Sequence, residues 1–96
     1  MTIEEMVQQC PGLVKVTVPV MNEVAIKVMG EPLNFNKTYD EMGFDDLDCV
    51  EMIMELEKKL DIYITDEVAD AFINGKSKPF NVSQYNRNKK IEGLGL

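Results

Sequence analysis

The chain contains no histidine and only two serines, Ser77 and Ser83, which removes most of the ways a small protein carries out covalent chemistry. Without histidine there is no imidazole to activate a hydroxyl or relay a proton, and no glycine-rich loop is present to cradle a phosphate. The paired carboxylates of Asp45 and Asp46 read more simply as a helix cap than as an acid–base pair. The expectation is a protein that is not an enzyme. Its two cysteines, Cys10 and Cys49, stand far apart, giving neither a zinc-ligand spacing nor a disulfide framework, so no metal is expected and a reduced, cytoplasmic setting is the simplest fit. No apolar run approaches the ~18 residues of a membrane span, and the N-terminus lacks the basic start and apolar stretch of a signal peptide. Internal repeats and low-complexity segments are also missing.

Basic residues are scarce. The formal charge of -7 on 96 residues argues against nucleic acid as a partner, because neutralising phosphates needs a surplus of lysine and arginine. The deficit is uneven: sixteen acids and five bases before residue 76 give -11, and one acid with five bases from there onward gives +4. Such a basic end is either a solvated tail or a segment that folds back on the acidic body. The length suits one domain with a modest core and no deep cleft.

What the chain does have is one strongly periodic stretch, Asp40 to Leu60, DEMGFDDLDCVEMIMELEKKL. Gly43 permits a tight turn, Asp45 or Asp46 can cap free backbone N–H groups, and no Gly or Pro interrupts Leu47 to Leu60. Asp48 at the start and Lys58 and Lys59 at the end match the helix dipole. Cys49, Ile53, Leu56 and Leu60, with Met52 beside them, form the stripe a helix buries. Leu47, Val50 and Met54 fall on an adjoining face, interleaved with Asp48, Glu51, Glu55 and Glu57. Two readings stand: a wide core stripe with a solvated acidic back, or a surface that docks partners by apolar contact and acidic steering. A calcium loop over Asp40–Glu51 is excluded, since Met42, Phe44 and Asp45 occupy its third, fifth and sixth positions.

Around this helix the rest reads as packing. Thr2 with Glu5 predicts a capping box for a short helix carrying Ile3, Met6 and Val7, stopped by Pro11-Gly12. Val14, Val16 and Val18 alternate with polar residues as in a strand, but no second strand exists to pair with it, so Leu13–Val18 is expected as an extended connector. Helical spacing of Val20 or Met21, Val24 and Val28 predicts a helix over Pro19–Met29, with Gly30 as its stop. Leu33, Phe35 and Tyr39 are expected to plug the bundle from a long loop. Thr65 caps a further short helix with Val68, Ala69 and Phe72 inward, ended by Asn74-Gly75. Asn81 or Ser83 can cap a weak last helix with Val82 and Tyr85, followed by an apolar tail with Ile91, Leu94 and Leu96.

The stretch Thr38 to Phe72 resembles the acyl carrier protein family. Its combined pattern, F-x-x-L-G-x-D-S-L-D-x-V-E, then an acidic helix, then D-x-x-I-x-D-E-x-A, is met by Tyr39, Met42, Gly43, Asp45, Leu47, Asp48, Val50, Glu51, Asp61, Ile64, Asp66, Glu67 and Ala69. The resemblance implies an all-α four-helix bundle of three long helices and one short, enclosing a small apolar cavity, with its second helix as the recognition helix. Here the bundle would span residues 19–91, with an N-terminal extension over 1–18 (short helix and connector) and an apolar tail over 92–96. One departure is decisive. Family members attach 4′-phosphopantetheine to the serine of the D-S-L motif, and this chain has Asp46 there. A carboxylate cannot form that stable phosphodiester, so the cofactor is expected to be absent, although a negative charge at a helix N-terminus partly imitates the phosphate. Three readings of Asp46 remain: a carrier-like binding protein without the prosthetic group, a carrier of fatty-acid or polyketide-type synthesis whose attachment serine is altered in this chain, or a helix cap on a reused fold. The first leads. It predicts a monomer that docks protein partners bearing a basic groove through Asp45, Leu47, Asp48, Val50, Glu51, Met54 and Glu57, with Lys58 and Lys59 departing from the family's acidic continuation.

Overall fold

A computed structural model describes residues 2–79. Four α-helices run in the order α1 (Ile3–Gln9), α2 (Val18–Met29), α3 (Asp46–Leu60) and α4 (Asp66–Phe72), with a 3₁₀ turn at Pro11–Lys15 between the first two. There is no strand among the described residues, as the all-α expectation requires. None of the described helices is long and apolar enough to cross a membrane. The helix that the resemblance assigns as the second of the bundle is α3. The last helix expected near Asn81 or Ser83, and the tail with Ile91, Leu94 and Leu96, lie outside the described residues.

Caps fix the helix starts. Thr2 and Glu5 close the expected capping box on α1, each side chain accepting from the other's backbone N–H at 3.2 and 3.0 Å. Thr17 caps α2, so that helix begins one residue before Pro19, and Gly30 ends it in the left-handed conformation. Thr65 accepts from Val68 N at 3.3 Å to cap α4, as its sequence predicts. The stop of α3 is Asp61, at φ 53 and ψ 53. A non-glycine residue there is uncommon, and aspartate is among those that tolerate it.

One stretch folds otherwise than expected. Leu13–Val18 begins as a 3₁₀ turn instead of an extended connector, because Pro11 starts a tight turn and a period of three puts Leu13 and Val16 on one side. Both are fully buried. Burying that pair outweighs the alternating pattern of valines, which has no partner strand. The residues before α2 therefore pack into the same core as the rest, with Met6 and Cys10 buried beside them.

The core gathers on one seam of α3. Cys49, Met52, Ile53 and Leu56 are buried in one cluster with Met21, Val24 and Ala25 of α2, which packs along α3, with Val68 and Phe72 of α4, which packs on α1, and with Leu33, Tyr39 and Phe44 of the connecting loop. Phe35 and Leu60 are only partly buried. The Tyr39 ring meets Phe44 edge-on, with centroids 5.1 Å apart at 78°. Its hydroxyl is buried with no hydrogen-bond partner, and burial pushes the phenol well above its usual range. An unpaired buried hydroxyl costs about 1–3 kcal/mol, comparable to what burying the large ring contributes. The loop carrying Tyr39 is stitched to the segment after α4, where Tyr39 N donates to Ser77 O at 3.0 Å and Asp40 N to Gly75 O at 2.8 Å.

Gly12 sits so close to Ile62 that a β-carbon there would collide with the γ-methyl on its branched β-carbon, which is held close to the backbone. At Gly75 the same atom would meet only the exposed carboxylate of Asp40, which can rotate into solvent. Gly12→Ala is therefore expected to destabilise the fold by about 1–3 kcal/mol, as overpacking does, and Gly75→Ala by clearly less. Urea unfolding of both variants checks the order.

Candidate functional site

The head of α3 is built by its own acids. Asp45 is the N-cap, its Oδ1 accepting from Asp48 N at 2.8 Å while Asp48 Oδ2 accepts from Asp45 N at 3.1 Å, a reciprocal box that satisfies two otherwise free donors. The cap is thus Asp45 and not Asp46. Asp46 is the first helical residue, exposed, with its side chain released from capping. The reading of Asp46 as a mere cap falls with this geometry. Gly43, at φ 87, makes the turn that aims the chain into the helix, and Phe44 N bonds back to Tyr39 O at 3.0 Å.

The face beside the buried seam is open. Leu47, Val50 and Met54 are 64%, 52% and 55% exposed, so the reading of these three as a widened core stripe is overturned. A 15-residue helix packed on one side leaves them no core to enter. Glu51 is exposed and Asp48 is half-buried beside it. Glu57 differs from them: it is half-buried, and its Oε2 accepts from Ile64 N at 2.9 Å, holding the loop after α3.

Bases near this face are engaged elsewhere. Glu55 pairs with Lys27 of α2 at 2.8 Å and with Lys58 at 3.7 Å, and Lys59 pairs with Glu23 of α2. The Lys27 ammonium holds the Glu55 carboxyl below its usual range. These pairs tie α2 to the back of α3 and leave the open face acidic.

Between α3 and α4 lies a groove of about 330 Å³. Its floor includes Cys49, Ile53, Ile64 and Ile73; Val50, Met54 and Tyr63 form the exposed wall, and Asp46, Glu57, Asp66 and Asp70 supply carboxylates. Sequence reasoning missed Tyr63, which is 76% exposed and carries no periodic signal. The thiol of Cys49 is pushed up to about 11 by burial and by Asp46 and Asp48 nearby. Among the described residues no group of acids and cysteines is arranged to hold a metal ion.

Comparison with known proteins gives a consistent picture. The chain is 37% identical over 51 residues to an acyl carrier protein of Karelsulcia muelleri, covering 53% of this chain and 61% of that protein. It is 37% identical over 54 residues to one of Campylobacter hominis, covering 56% of this chain and 68% of that protein. With an acyl carrier protein of Buchnera aphidicola it shares 47% identity over 51 residues, 53% of this chain and 61% of that one. The chain thus spans about three fifths of the length of the first of these relatives. No family model and no solved structure matches it.

Two outcomes are expected. Asp45→Ala lowers stability by about 1 kcal/mol, because it removes the cap, whereas Asp46→Ala stays within about 0.5 kcal/mol; thermal unfolding separates them. The folded Cys49 thiol holds its proton more tightly than an unfolded one, so it contributes stability below the ordinary thiol range, and this is lost as pH rises toward about 11. Alkylation of Cys49 by iodoacetamide, followed by peptide mass, is expected to be slow at pH 8 and to become fast only when the chain unfolds or the pH approaches that value.

Proposed function

The chain belongs to the acyl carrier protein family, and from that premise we propose that it is a non-catalytic docking protein on the carrier fold, binding a basic surface of a partner protein through α3. One observation carries this reading: Leu47, Val50 and Met54 stand exposed in a row flanked by Asp48 and Glu51, on a helix whose buried side already fills the core. Exposed apolar residues set among charge of one sign suit a protein interface, the carboxylates steering a basic partner and the apolar side chains excluding water once docked. Asp45 belongs to this surface mainly as the cap that positions it, and Glu57 as the residue that holds its lower edge.

The family's 4′-phosphopantetheine does not fit the residues present. Position 46 offers a carboxylate, and among the described residues lining the adjacent groove only Tyr63 has a hydroxyl. A phosphodiester needs an alcohol oxygen, and Cys49 is buried with its thiol strongly protonated. On this reading the chain carries no acyl group, and Asp46 keeps a negative charge at the helix N-terminus, where the dipole favours it. The second reading, a carrier of fatty-acid or polyketide-type synthesis whose attachment serine is altered in this chain, is favoured by the retained Asp45, Leu47 and Asp48 around position 46.

Docking through α3 predicts that Asp48→Lys combined with Glu51→Lys lowers affinity for bound partners by at least about tenfold, with Leu47→Ser and Met54→Ser each weakening it further. Affinity purification of the tagged chain, quantified against these variants, checks it. Partners retained undiminished by the doubly reversed helix contradict the reading.

A further inference from the structure

The helices pair unevenly. α2 packs along α3, whereas α4 packs more closely on α1 than on α3, from which the groove separates it. Left to itself α4 has little to hold it there. It is a seven-residue helix, too short to persist alone. Asp66 and Asp70 of α4 share the groove with Asp46 and Glu57 of α3, and among the described residues lining it there is no lysine or arginine, so like charges on the two walls push them apart.

The residues before α2 supply the hold. Met6 of α1, Cys10, and Leu13 and Val16 at the 3₁₀ turn are buried in the cluster that contains Val68 and Phe72 of α4. α1 carries no base, so its grip on acidic α4 is apolar. The same segment also grips the loop between α3 and α4. The Cys10 thiol donates to Tyr63 O at 3.2 Å, and Gly12 lies against the Ile62 side chain with no room for a β-carbon. On its other side the loop is tied to α3, where Ile62 N donates to Glu57 O at 3.1 Å and Ile64 N to the Glu57 carboxylate at 2.9 Å. Asp61, in the left-handed conformation, stands at the boundary. The far end of α4 is anchored separately, through Gly75 and Ser77 to the Tyr39 loop. The N-terminal segment therefore governs the near end, where Thr65 caps the helix.

We propose that Thr2–Val16 form a strap that sets the width of the α3/α4 groove: the strap, the loop it grips and the near end of α4 open together as one unit while α2 and α3 stay paired. Segments that share more packing with each other than with the remainder open cooperatively, below the cost of full unfolding. Opening turns the loop about Asp61 and parts Cys10 from Tyr63; closing restores the bond and the groove. The device does not depend on the docking reading.

Native-state hydrogen exchange of the full chain, followed by NMR where exchange reports the opening equilibrium, tests it. The amides of Cys10, Val16 and Ala69 donate to the carbonyls of Met6, Leu13 and Thr65. They are expected to share one opening equilibrium, at least about tenfold further toward the open form than that of Val24, Ile53 and Leu56 in α2 and α3. Gly12→Ala accelerates Cys10, Val16 and Ala69 together by about tenfold, and the α2 and α3 amides with them, since full unfolding also releases the strap. Ala25→Gly, on the buried face of α2, is the discriminating variant. It accelerates Val24, Ile53 and Leu56 by about fivefold and leaves Cys10, Val16 and Ala69 at their original rates. Helical circular dichroism confirms folding, and Cys10→Ala, which removes the bond to Tyr63 and is read at Val16 and Ala69, serves if Gly12→Ala does not fold. A single opening equilibrium for all six amides overturns the proposal. So does an Ala69 that ignores the strap substitution, or an Ala25→Gly that moves Cys10, Val16 and Ala69 as far as it moves α2 and α3.

Discussion

A helix has only one side to give to a core, and in this protein the side that α3 gives is narrow. Cys49, Met52, Ile53 and Leu56 form a seam that α2 packs along and that shares one buried core with α4 and the Tyr39 loop. Large side chains removed from water there contribute about 1.5–3 kcal/mol each, enough to fix the rotation of α3 about its axis. That rotation decides the rest. Once the seam faces inward, Leu47, Val50 and Met54 have to face out, and no rearrangement buries both sets.

Electrostatics then divides the outer surface of α3 in two. On the side toward α2, Glu55 with Lys27 and Lys58, and Lys59 with Glu23, form opposite-charge pairs that bind helix to helix. Toward α4, among the described residues, the acids face no paired cation. Asp45 and Asp48 spend part of their hydrogen-bonding capacity on each other's backbone, which rigidifies the helix start at the point where Asp46 is displayed. The cap, the open apolar row and the acidic groove are thus consequences of one helix held in one orientation.

Much of this was legible in the sequence because α3 obeys short-range rules: a glycine turn, an acidic start, a seam at helical spacing and lysines at the end. The caps at Thr2 and Thr65 and the stop at Gly30 follow equally local chemistry. Periodicity could not decide the side that Leu47, Val50 and Met54 face, since a wide stripe and two separate faces give the same spacing; the packing of α2 and α4 decides it. The 3₁₀ turn at Pro11–Lys15 was hidden for a related reason, its valines alternating as a strand does while the depth of the core selects Leu13 and Val16 together. Asp61 ends α3 in a conformation that sequence rules expect of glycine, and Tyr63 is placed by that turn. The groove, made from two stretches, Asp46–Glu57 and Tyr63–Gly75, has no single periodic signature.

Asp46 stands at the position where the family pattern has a hydroxyl and this chain presents a carboxylate. Because Asp45 and not Asp46 holds the cap, exchanging Asp46 for serine leaves the helix start intact and changes only the chemistry displayed there. Intact-mass measurement after incubation with coenzyme A and a phosphopantetheinyl transferase, on this chain and on Asp46→Ser side by side, is therefore the most direct measurement. The unsubstituted chain is expected to keep its mass while Asp46→Ser gains one phosphopantetheine; a stoichiometric gain on the unsubstituted chain would contradict the loss of the attachment site.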